Sequence, residues 1–374
     1  SLDIVSQYCS KWKLEVNHKK SKILIFEPRK EPCNFIFKIG SETLERVYTY
    51  KYLGIIFEYT GHYKSAKNDL YMKSQKAYFK LRKLLGSDYV NPKLFLDIFD
   101  KTVIPVLSYN SEIWSTFNMS TKRYKENKNP NFLFDEFVGE KLHTKLCKIL
   151  LGVGQKTSNL ASRAELGRYP IMITMLANMI AYKSRLENIE SSHLIKESYK
   201  DDILLDSYGL STWYSCTEEI LKLINANHSI LKFSTKTLRK RVISKLRESY
   251  DHYFEEQIFN DQRKDPSEQN KLRTFRKFKS RIKYEPYLNL NIKKDILKKY
   301  TQFRLSSHKL QIELARHIKA PQTTRVQEKL RARKCKLCNN GDEEDELHFM
   351  LKCQSYKNDR TNYLNKIFHM CKNT

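Results

Sequence analysis

The spacing of cysteine and histidine near the C-terminus restricts the fold of this chain more than any other feature. Cys335 and Cys338 are separated by two residues, and His348 and Cys353 follow after a polar segment. Cysteines at this spacing can bind one ion from a tight turn, and a histidine with a third cysteine can complete a tetrahedron. Three thiolates and one imidazole favour zinc, and four protein ligands leave no coordination position for water. We therefore expect a structural zinc site rather than a catalytic one.

A metal-free alternative treats the same residues as three reduced thiols and an unrelated histidine in a charged turn. The paired spacing favours the metal site over this alternative. Basic residues beside the cysteines, Arg333, Lys334 and Lys336, would help to keep the thiols deprotonated. The polar and acidic segment 339–345 suits a solvated loop between the two pairs of ligands.

The chain carries a large excess of positive charge. Its 374 residues include 69 Lys or Arg and 42 Asp or Glu, which gives a formal net charge of +27. Such a field attracts phosphate backbones or anionic membranes. The longest apolar run, Ile171 to Tyr182, is shorter than a bilayer requires and contains Asn178. Nucleic acid, RNA or DNA, is therefore the expected partner, and no membrane association is expected.

The cysteines indicate the cellular compartment, and the first residues bear on whether the chain is a fragment. Eight cysteines, three of them in the metal set, give no even disulfide framework, and no secretory leader is visible. We expect a reducing compartment, the nucleus and the cytoplasm. The chain begins Ser-Leu-Asp without a methionine, within a helical pattern, which favours a fragment of a longer protein.

Most of the charge lies in one region. Between Lys232 and Lys334 there are 29 Lys or Arg and 11 Asp or Glu, a net charge of +18. Periodicity predicts two long helices here, Thr235 to Gln262 and Glu268 to Tyr284. On the second helix, four cations lie close together and would bind phosphate as a group. These are Arg273, Arg276, Lys277 and Lys279.

Aromatic residues on the same predicted helix leave two interpretations open. Phe275, Phe278 and Ile282 share one helical face at spacings of three and four. The two phenylalanines could stack on bases, or the stripe could face a core with the cations outside it.

Periodicity predicts helices over most of the chain and short strands near its start. Apolar residues recur at helical spacing from Leu2 to Trp12, and again from Tyr63 until Gly86. Between these helices, short apolar runs separated by the turn Gly40-Ser41 predict strands. The length predicts two or three packed units. We predict a mainly α fold with a small antiparallel β meander at the N-terminus, a multi-unit helical body and a C-terminal zinc knuckle.

Two N-terminal stretches carry a family resemblance. They read Trp12-Lys-Leu-Glu-Val-Asn-His-Lys-Lys-Ser-Lys22 and Tyr50-Lys-Tyr-Leu-Gly-Ile-Ile-Phe57. Together they resemble the segment that follows the catalytic aspartates in reverse transcriptases of non-LTR (LINE-type) retrotransposons. In that family the first stretch closes the palm with a lysine near the nucleotide, and the second is the primer-grip hairpin. Lys20 matches the family's lysine best, and Lys22 is the competing match.

A third stretch, Val106-Leu-Ser-Tyr-Asn-Ser-Glu-Ile-Trp114, resembles the thumb of the same enzymes. This chain has Asn110 where the family has glycine. The resemblance implies that the preceding helix follows the template–primer backbone with a basic face containing Lys76 and Lys80, together with Lys73, Arg82 and Lys83. A solvated face is the alternative. The run Glu165 to Pro170 also matches the family downstream of the thumb, where we expect it to pack.

The C-terminal quarter adds a further match. Phe303-Arg-Leu-Ser-Ser-His308-Lys-Leu-Gln-Ile-Glu313-Leu-Ala-Arg316 precedes the Cys335 to Cys353 set, and LINE proteins have a similar pairing near their C-terminus. Glu344, Tyr356 and Arg360 also fit that ending. The resemblance implies that Arg304 and Arg316 contact RNA, and pairing with Glu313 is the alternative. His308 is expected to be a hydrogen-bonded structural histidine, because four ligands already fill the tetrahedron.

The string Tyr199-Lys-Asp201-Asp202 has the form of a polymerase signature but not its context. Two-metal nucleotidyl transfer needs the aspartates on a hairpin between apolar strands and a third carboxylate from an earlier strand. The preceding residues instead predict a helix, and the string follows the primer-grip-like stretch. We therefore predict no catalytic residues in this chain.

The resemblance implies a C-terminal part of an RNA-directed DNA polymerase that binds RNA or template–primer without polymerising. Zinc is the expected structural cofactor, and Mg²⁺ is expected only for the complete polymerase. The alternatives are a non-enzymatic helical RNA- or DNA-binding zinc protein derived from such an element, and a protein-interaction scaffold. The predicted regions are the end of the palm (1–60), the thumb-like helices (61–121), a helical connector (132–230), a basic nucleic-acid-binding region (231–330) and the zinc knuckle with a terminal helix (331–374).

Overall fold

A computed structural model describes residues 2–26, 35–86, 91–115, 137–190, 192–259, 271–319, 321–338 and 340–372 of the protein, with side chains up to residue 365. The described residues are mainly helical, with small strands near the N-terminus, so the predicted fold class is confirmed. The polar segment Lys122 to Asn131, predicted as a linker or exposed loop, lies outside these ranges. Within them, no helix combines the length and apolar character needed to cross a membrane.

Helices make up most of the part of the chain that the structure describes, and the following bounds refer to that part. The α-helices are Leu2–Lys11, Lys64–Leu85, Pro92–Thr102, Ile104–Leu107, Ser111–Trp114, Val138–Leu151, Asn159–Glu165, Ile171–Asn188, Leu194–Ser207, Trp213–Leu223, Thr235–Phe259, Arg273–Phe278, Lys294–Arg304, Gln311–Leu314, Arg325–Ala332 and Lys357–Lys372. Short 3₁₀ turns cover His228–Lys232, Pro286–Asn289, Ala315–His317 and Gln354–Tyr356, and a π-helical turn covers His348–Lys352.

Among the residues that the structure describes, the strands form three separate two-stranded pairs. Lys38–Ile39 and Glu42–Thr43 are antiparallel, whereas Lys22–Ile23 runs parallel to Glu45–Arg46. The longest pair is the hairpin of Thr49–Tyr52 and Ile55–Glu58, in which Tyr52 is opposite Ile55.

A two-residue loop closes this hairpin, and both of its residues have positive φ. Leu53 has φ 46° and Gly54 has φ 88°. Glycine adopts this conformation at no steric cost, whereas a leucine does not. Leu53 is also 71% exposed, so no core packing offsets its strain. The Tyr109 hydroxyl donates a hydrogen bond to the Leu53 carbonyl at 2.9 Å.

The chain divides into two compact units, each made of segments that are distant in sequence. Unit 1 combines the described parts of 1–84, 97–140 and 171–243, and unit 2 combines those of 85–96, 141–170 and 244–374. These units do not follow the five consecutive regions expected from the sequence, whose boundaries stay a prediction.

The core of unit 1 surrounds the helix Ile171–Asn188. Met172, Met175 and Met179 on this helix are fully buried, as the apolar pattern predicts. The short helix Ser111–Trp114 packs against it, and Trp114 is 1% exposed. The Trp114 indole N–H donates to the Tyr109 carbonyl at 2.8 Å, which satisfies its polar edge.

The core of unit 2 contains a buried ion pair as well as apolar side chains. Glu165 is completely buried, and both of its carboxylate oxygens accept hydrogen bonds from Arg304, at 2.6 and 3.3 Å. The Tyr287 hydroxyl donates to Glu165 at 2.6 Å. Beside this pair Gly167 has φ 63°, and a Cβ at this position would lie 2.5 Å from the Tyr284 backbone nitrogen. The Glu165 to Pro170 run therefore has the packing role that the sequence predicts.

The predicted helix from Glu268 to Tyr284 is wrong in its second half. The helix Arg273–Phe278 ends before Lys279, whose backbone is extended, and residues 260–270 lie outside the described ranges. The Lys279 ammonium donates to the Lys283 carbonyl and to Glu285, which fixes a turn where the sequence predicted helix.

Replacing Leu53 with asparagine tests the strain in the hairpin loop. A leucine in the left-handed region costs roughly 1–2 kcal/mol, and asparagine followed by glycine is the preferred pair in such loops. We expect Leu53→Asn to raise the free energy of unfolding in urea by about 1 kcal/mol. Leu53→Ala is the matched control, because alanine lacks the short polar side chain whose local hydrogen bonds let asparagine adopt the left-handed region. Equal stability of the two variants would contradict this explanation.

Candidate metal centre and the predicted basic contacts

The first two predicted metal ligands lie in the loop of a short backbone turn. Lys334 and Glu343 form an antiparallel bridge, and the Cys335 N–H donates to the Asp342 carbonyl at 2.9 Å. This pairing brings Cys335 and Cys338 back toward the acidic segment. The Leu337 N–H donates a hydrogen bond to the Cys335 sulfur at 3.4 Å, which helps to fix the position of this side chain.

The other two predicted ligands flank the π-helical turn His348–Lys352. Its closing hydrogen bond runs from the Cys353 N–H to the His348 carbonyl at 2.8 Å, which places both side chains at one end of the turn. The Arg360 guanidinium donates to the Cys353 carbonyl at 2.6 Å. The Asp345 carboxylate accepts from the His348 N–H at 2.7 Å.

These elements bring all four predicted ligand side chains together. Cys335, Cys338, His348 and Cys353 are buried, and their ligand atoms all lie within 4.8 Å of one another. The Cys335 and Cys353 sulfurs are 4.0 Å apart, and the Cys338 sulfur is 3.2 Å from His348 Nε2. Zinc–ligand bonds of roughly 2.0–2.3 Å in a tetrahedron place the ligand atoms about 3.3–3.8 Å apart. The four residues therefore form a buried group that could hold a metal ion such as zinc.

The opposite edge of the His348 ring faces a carboxylate. His348 Nδ1 lies 3.6 Å from Asp342 Oδ2, and it has no hydrogen-bond partner among the residues that the structure describes. Histidines that bind a metal usually donate their second N–H to a carboxylate, which fixes the tautomer. Asp342 is positioned for this role after a small closing movement.

The thiols differ in their affinity for protons. The Asn340 amide lowers the pKa of Cys338, but burial and hydrogen bonds with the other two thiols raise it more. Burial raises the pKa of Cys353, but the Ser355 amide and the neighbouring thiols lower it more. A bound cation would displace the proton that remains in the cluster, so metal affinity should fall as the pH is lowered.

A buried acidic layer connects the metal-ligand loop to the segment around His308. Glu346 forms an ion pair with Arg273 and a hydrogen-bond contact with His308, whose Nε2 lies 2.7 Å from the carboxylate. Burial raises the pKa of Glu346, but His308 and Arg273 lower it more, so the carboxylate stays ionised. The Gln311 N–H donates to the Glu344 carboxylate at 2.9 Å. His308 is therefore a hydrogen-bonded structural residue, and sequence reasoning missed its partner Glu346.

Several of the predicted nucleic-acid contacts are enclosed in unit 2. Lys279, Arg304 and Arg316 are 2%, 5% and 7% exposed. Each is ion-paired, Lys279 with Glu285, Arg304 with Glu165 and Arg316 with Glu313 at 2.9 Å. Arg273 also pairs with Glu313, at 3.1 Å. A contact between any of these side chains and phosphate would require it to leave a buried carboxylate.

Other predicted contacts on the same helix lie nearer to the surface. Arg276 is half-buried and donates to the carbonyls of Ile258 and Lys271 at 2.5 and 2.7 Å. Lys277 is exposed. Phe275 is fully buried, whereas Phe278 is 64% exposed, so the aromatic stripe is divided between core and surface.

The predicted contacts in unit 1 are mostly exposed. Lys76 and Lys80 project from the helix Lys64–Leu85, and Lys20 is exposed after a turn that Asn17 stabilises. Lys22 forms an ion pair with Glu45. Whether any of these cations contacts nucleic acid stays a prediction.

The polymerase-like string lies on a helix, as its sequence context predicts. Tyr199, Asp201 and Asp202 all belong to Leu194–Ser207. Tyr199 is buried and accepts a hydrogen bond from the Lys183 ammonium at 2.8 Å. Asp202 accepts from the Tyr214 N–H at 2.6 Å, so it stabilises the start of the next helix.

Two substitutions test the candidate metal centre, one in a predicted ligand and one in the carboxylate that faces a ligand. Cys338→Ser removes a ligand, and Asp342→Asn removes only the carboxylate facing His348. We expect Asp342→Asn to weaken zinc affinity roughly 10–100-fold and Cys338→Ser to weaken it more. Zinc content by mass spectrometry and competition with a chelator measure both effects. Cys9→Ser is the control, since Cys9 lies in unit 1. Full zinc stoichiometry in Cys338→Ser would show that the ligands are misassigned.

The buried ion pair of Arg304 and Glu165 gives a prediction that distinguishes a loss of stability from a loss of RNA binding. Removing one partner of a buried pair costs roughly 3–5 kcal/mol, because the other charge is left without compensation. We expect Arg304→Gln to lower the stability of unit 2 by about this amount in chemical denaturation. RNA binding of the folded fraction should stay unchanged. Unchanged stability with weakened RNA binding would instead make Arg304 a direct contact.

We compared the chain with protein-family models, with curated proteins and with solved structures, and none of the three comparisons finds a match.

Proposed function

We propose that this chain is the C-terminal part of a LINE-type reverse transcriptase that binds RNA or template–primer and carries a structural zinc ion. The proposal begins from the quoted sequence stretches that resemble this family. It is supported by contacts that join those stretches within each unit. It assigns the chain a binding role without polymerisation, because no stretch supplies the set of carboxylates that two-metal chemistry needs.

The observation that carries the proposal is a contact between two of these stretches in unit 1. The primer-grip-like stretch forms a hairpin, and the Leu53 carbonyl at its loop accepts a hydrogen bond from Tyr109 in the thumb-like stretch. Gly54 also approaches the Tyr109 ring, since a Cβ at this position would lie 3.4 Å from Tyr109 Cε1. Two stretches with no similarity in sequence thus form one local structure, as two parts of one enzyme would.

Asn110, which stands where the family has glycine, keeps the backbone conformation that a glycine would adopt. Asn110 has φ 52°, in the left-handed region that glycine adopts most readily. Asparagine is the other residue that often occupies this region, because its short polar side chain tolerates it. The backbone therefore has the conformation that a glycine would permit, and this supports the thumb resemblance.

The C-terminal stretches are joined in a similar way. The segment that contains His308 contacts the loop between the metal ligands through Glu346 and Glu344. The Ile312 N–H also donates to the Glu344 carbonyl at 3.3 Å. The sequence pairing that resembles the end of LINE proteins is thus a physical pairing in unit 2.

In this proposal the zinc ion has a structural role. Cys335 and Cys338 would hold it from the backbone turn, and His348 and Cys353 from the π-helical turn. The ion would neutralise the thiolates and cross-link the two turns, and four ligands would leave no position for a substrate. Binding free energy at such a site adds directly to folding free energy.

The exposed cations are the best candidates for phosphate contacts. Lys76 and Lys80 on the thumb-like helix and Lys277 in the basic region all face solvent. Phe278 is exposed beside Lys277, so it has a free face on which a base can stack. The enclosed arginines would hold the binding surface in shape rather than touch the strand.

The scaffold alternative has one observation in its favour. The helix Leu194–Ser207 and the turn after it expose several large apolar side chains. Leu194, Leu204, Tyr208 and Leu210 are 83%, 51%, 73% and 54% exposed. Such a surface suits a protein partner. Salt-dependent RNA binding separates both nucleic-acid-binding alternatives from the scaffold. The reading frame upstream of Ser1 separates a polymerase fragment from a derived binding protein.

RNA affinity measured across salt concentrations tests the proposal. We expect the combined variant Lys76→Gln, Lys80→Gln and Lys277→Gln to weaken binding to unrelated sequences about equally. The slope of log affinity against log salt should flatten by roughly 0.7 for each lysine that contacts a single strand. The matched control replaces Lys101, Lys200 and Lys357, which are also exposed. Equal effects of the two variants would favour a solvated charge without a binding surface.

A primer-extension assay tests the absence of polymerisation. We expect no extension by the chain with Mg²⁺ on any template–primer, because Asp201 and Asp202 lie on a helix without a third carboxylate. Extension that Asp201→Asn abolished would overturn this assignment.

A further inference from the structure

A cleft of about 230 Å³ lies within unit 2, separate from the four metal ligands. Its walls are the loop 154–157, Lys271, the turn 306–308 and the segment 313–317. Pockets for drug-sized ligands measure roughly 300–1,000 Å³. This cleft is smaller, so it suits one compact group, such as a phosphate with part of its sugar, rather than a whole nucleotide.

The Ser307 hydroxyl in the cleft has its acceptor sites occupied by neighbouring protein groups. Ser307 Oγ accepts hydrogen bonds from the Gly154 N–H and from the Thr157 hydroxyl, both at 3.0 Å. A serine hydroxyl has two acceptor lone pairs and one proton to donate. With both lone pairs engaged by protein groups, the Ser307 proton is left to donate into the cleft. The cleft therefore offers a donor, which an anion requires.

The charged groups of the cleft also favour an anion. Lys156, Lys271 and Arg316 line it, and Glu313 is the single carboxylate among the lining residues. Both oxygens of Glu313 are engaged by arginines, at 3.1 Å from Arg273 and 2.9 Å from Arg316. The Lys271 ammonium donates to the Lys156 carbonyl at 3.3 Å, which holds the two lysine-bearing segments together. Arg316 is thus used, with Arg273, to neutralise the one acid of the cleft, and the two lysines remain to attract an anion.

We propose that this cleft, whose donors are Lys156, Lys271 and Ser307 and which is called the phosphate cleft below, binds a phosphate group of a nucleic-acid strand. A tetrahedral phosphate presents its oxygens in several directions at once, which matches donors that come from separate segments. The choice of a nucleic acid as the source of the phosphate rests on the proposed function. The anion chemistry of the cleft does not rest on it.

Two measurements on the full chain with zinc bound test the inference. Calorimetric titration with inorganic phosphate reports on the cleft alone, and fluorescence anisotropy with single-stranded RNA over a range of salt reports on the strand. The test variant is Lys156→Gln with Lys271→Gln. The control is Lys283→Gln with Lys357→Gln, which removes the same charge at exposed positions outside the cleft.

We expect the cleft variant to bind inorganic phosphate at least tenfold more weakly and the control to bind it as the unaltered chain does. The salt slope for RNA should flatten by roughly 0.7 for each cleft lysine. Equal phosphate affinity in all three proteins, or an equal loss in both variants, would overturn the cleft. Loss of phosphate binding with unchanged RNA binding would overturn the nucleic-acid source and leave small phosphate compounds as the ligand. An unaltered chain that binds phosphate in the cleft but no RNA would contradict the proposed function and support the anion site.

Discussion

Glu165 is fully buried in a strongly basic chain, and unit 2 depends on how this one negative charge is neutralised. Arg304 binds both of its oxygens, and Tyr287 donates to it as well. Arg304 also lies 3.4 Å from Glu285, which in turn pairs with Lys279. These groups form one network, and removal of Arg304 would leave the buried Glu165 charge without its counter-ion.

Buried acids are paired with basic side chains beside the candidate metal centre as well. The basic region therefore contains two classes of cation, those that pair with buried acids and those that are exposed. Arg273 and Arg316 neutralise Glu313, and Arg273 also pairs with Glu346, to which His308 is hydrogen-bonded. These cations organise the protein around its few buried acids. Other cations among the described residues, such as Lys277, face solvent, where they can attract a polyanion. The high net charge is therefore a poor guide to which residue touches a ligand, and burial is a better one.

The sequence was informative where the chemistry is local. The spacing of Cys335 and Cys338 predicted a ligand cluster. The polar pair Ser158-Asn159 likewise predicts a helix cap at one of its two residues, and Ser158 is the cap, since its hydroxyl accepts from the Ala161 N–H. Ion pairs between residues far apart in sequence were not predictable in this way. Nothing in the pattern around Arg304 points to Glu165, because the two residues lie far apart in sequence. A periodic pattern likewise predicted helix beyond Phe278, where a lysine bound to Glu285 fixes a turn instead.

We propose that a metal ion at the Cys3His group, together with Glu344 and Glu346, holds the end of the chain onto the His308 segment. Hydrogen exchange before and after zinc removal by a chelator tests this most directly. We predict faster exchange at the Gln311 and Ile312 amides, which donate to Glu344, and unchanged exchange in the helix Ile171–Asn188 of unit 1. Unchanged exchange at Gln311 and Ile312 after proven loss of zinc would contradict the account, as would a purified chain that binds no zinc.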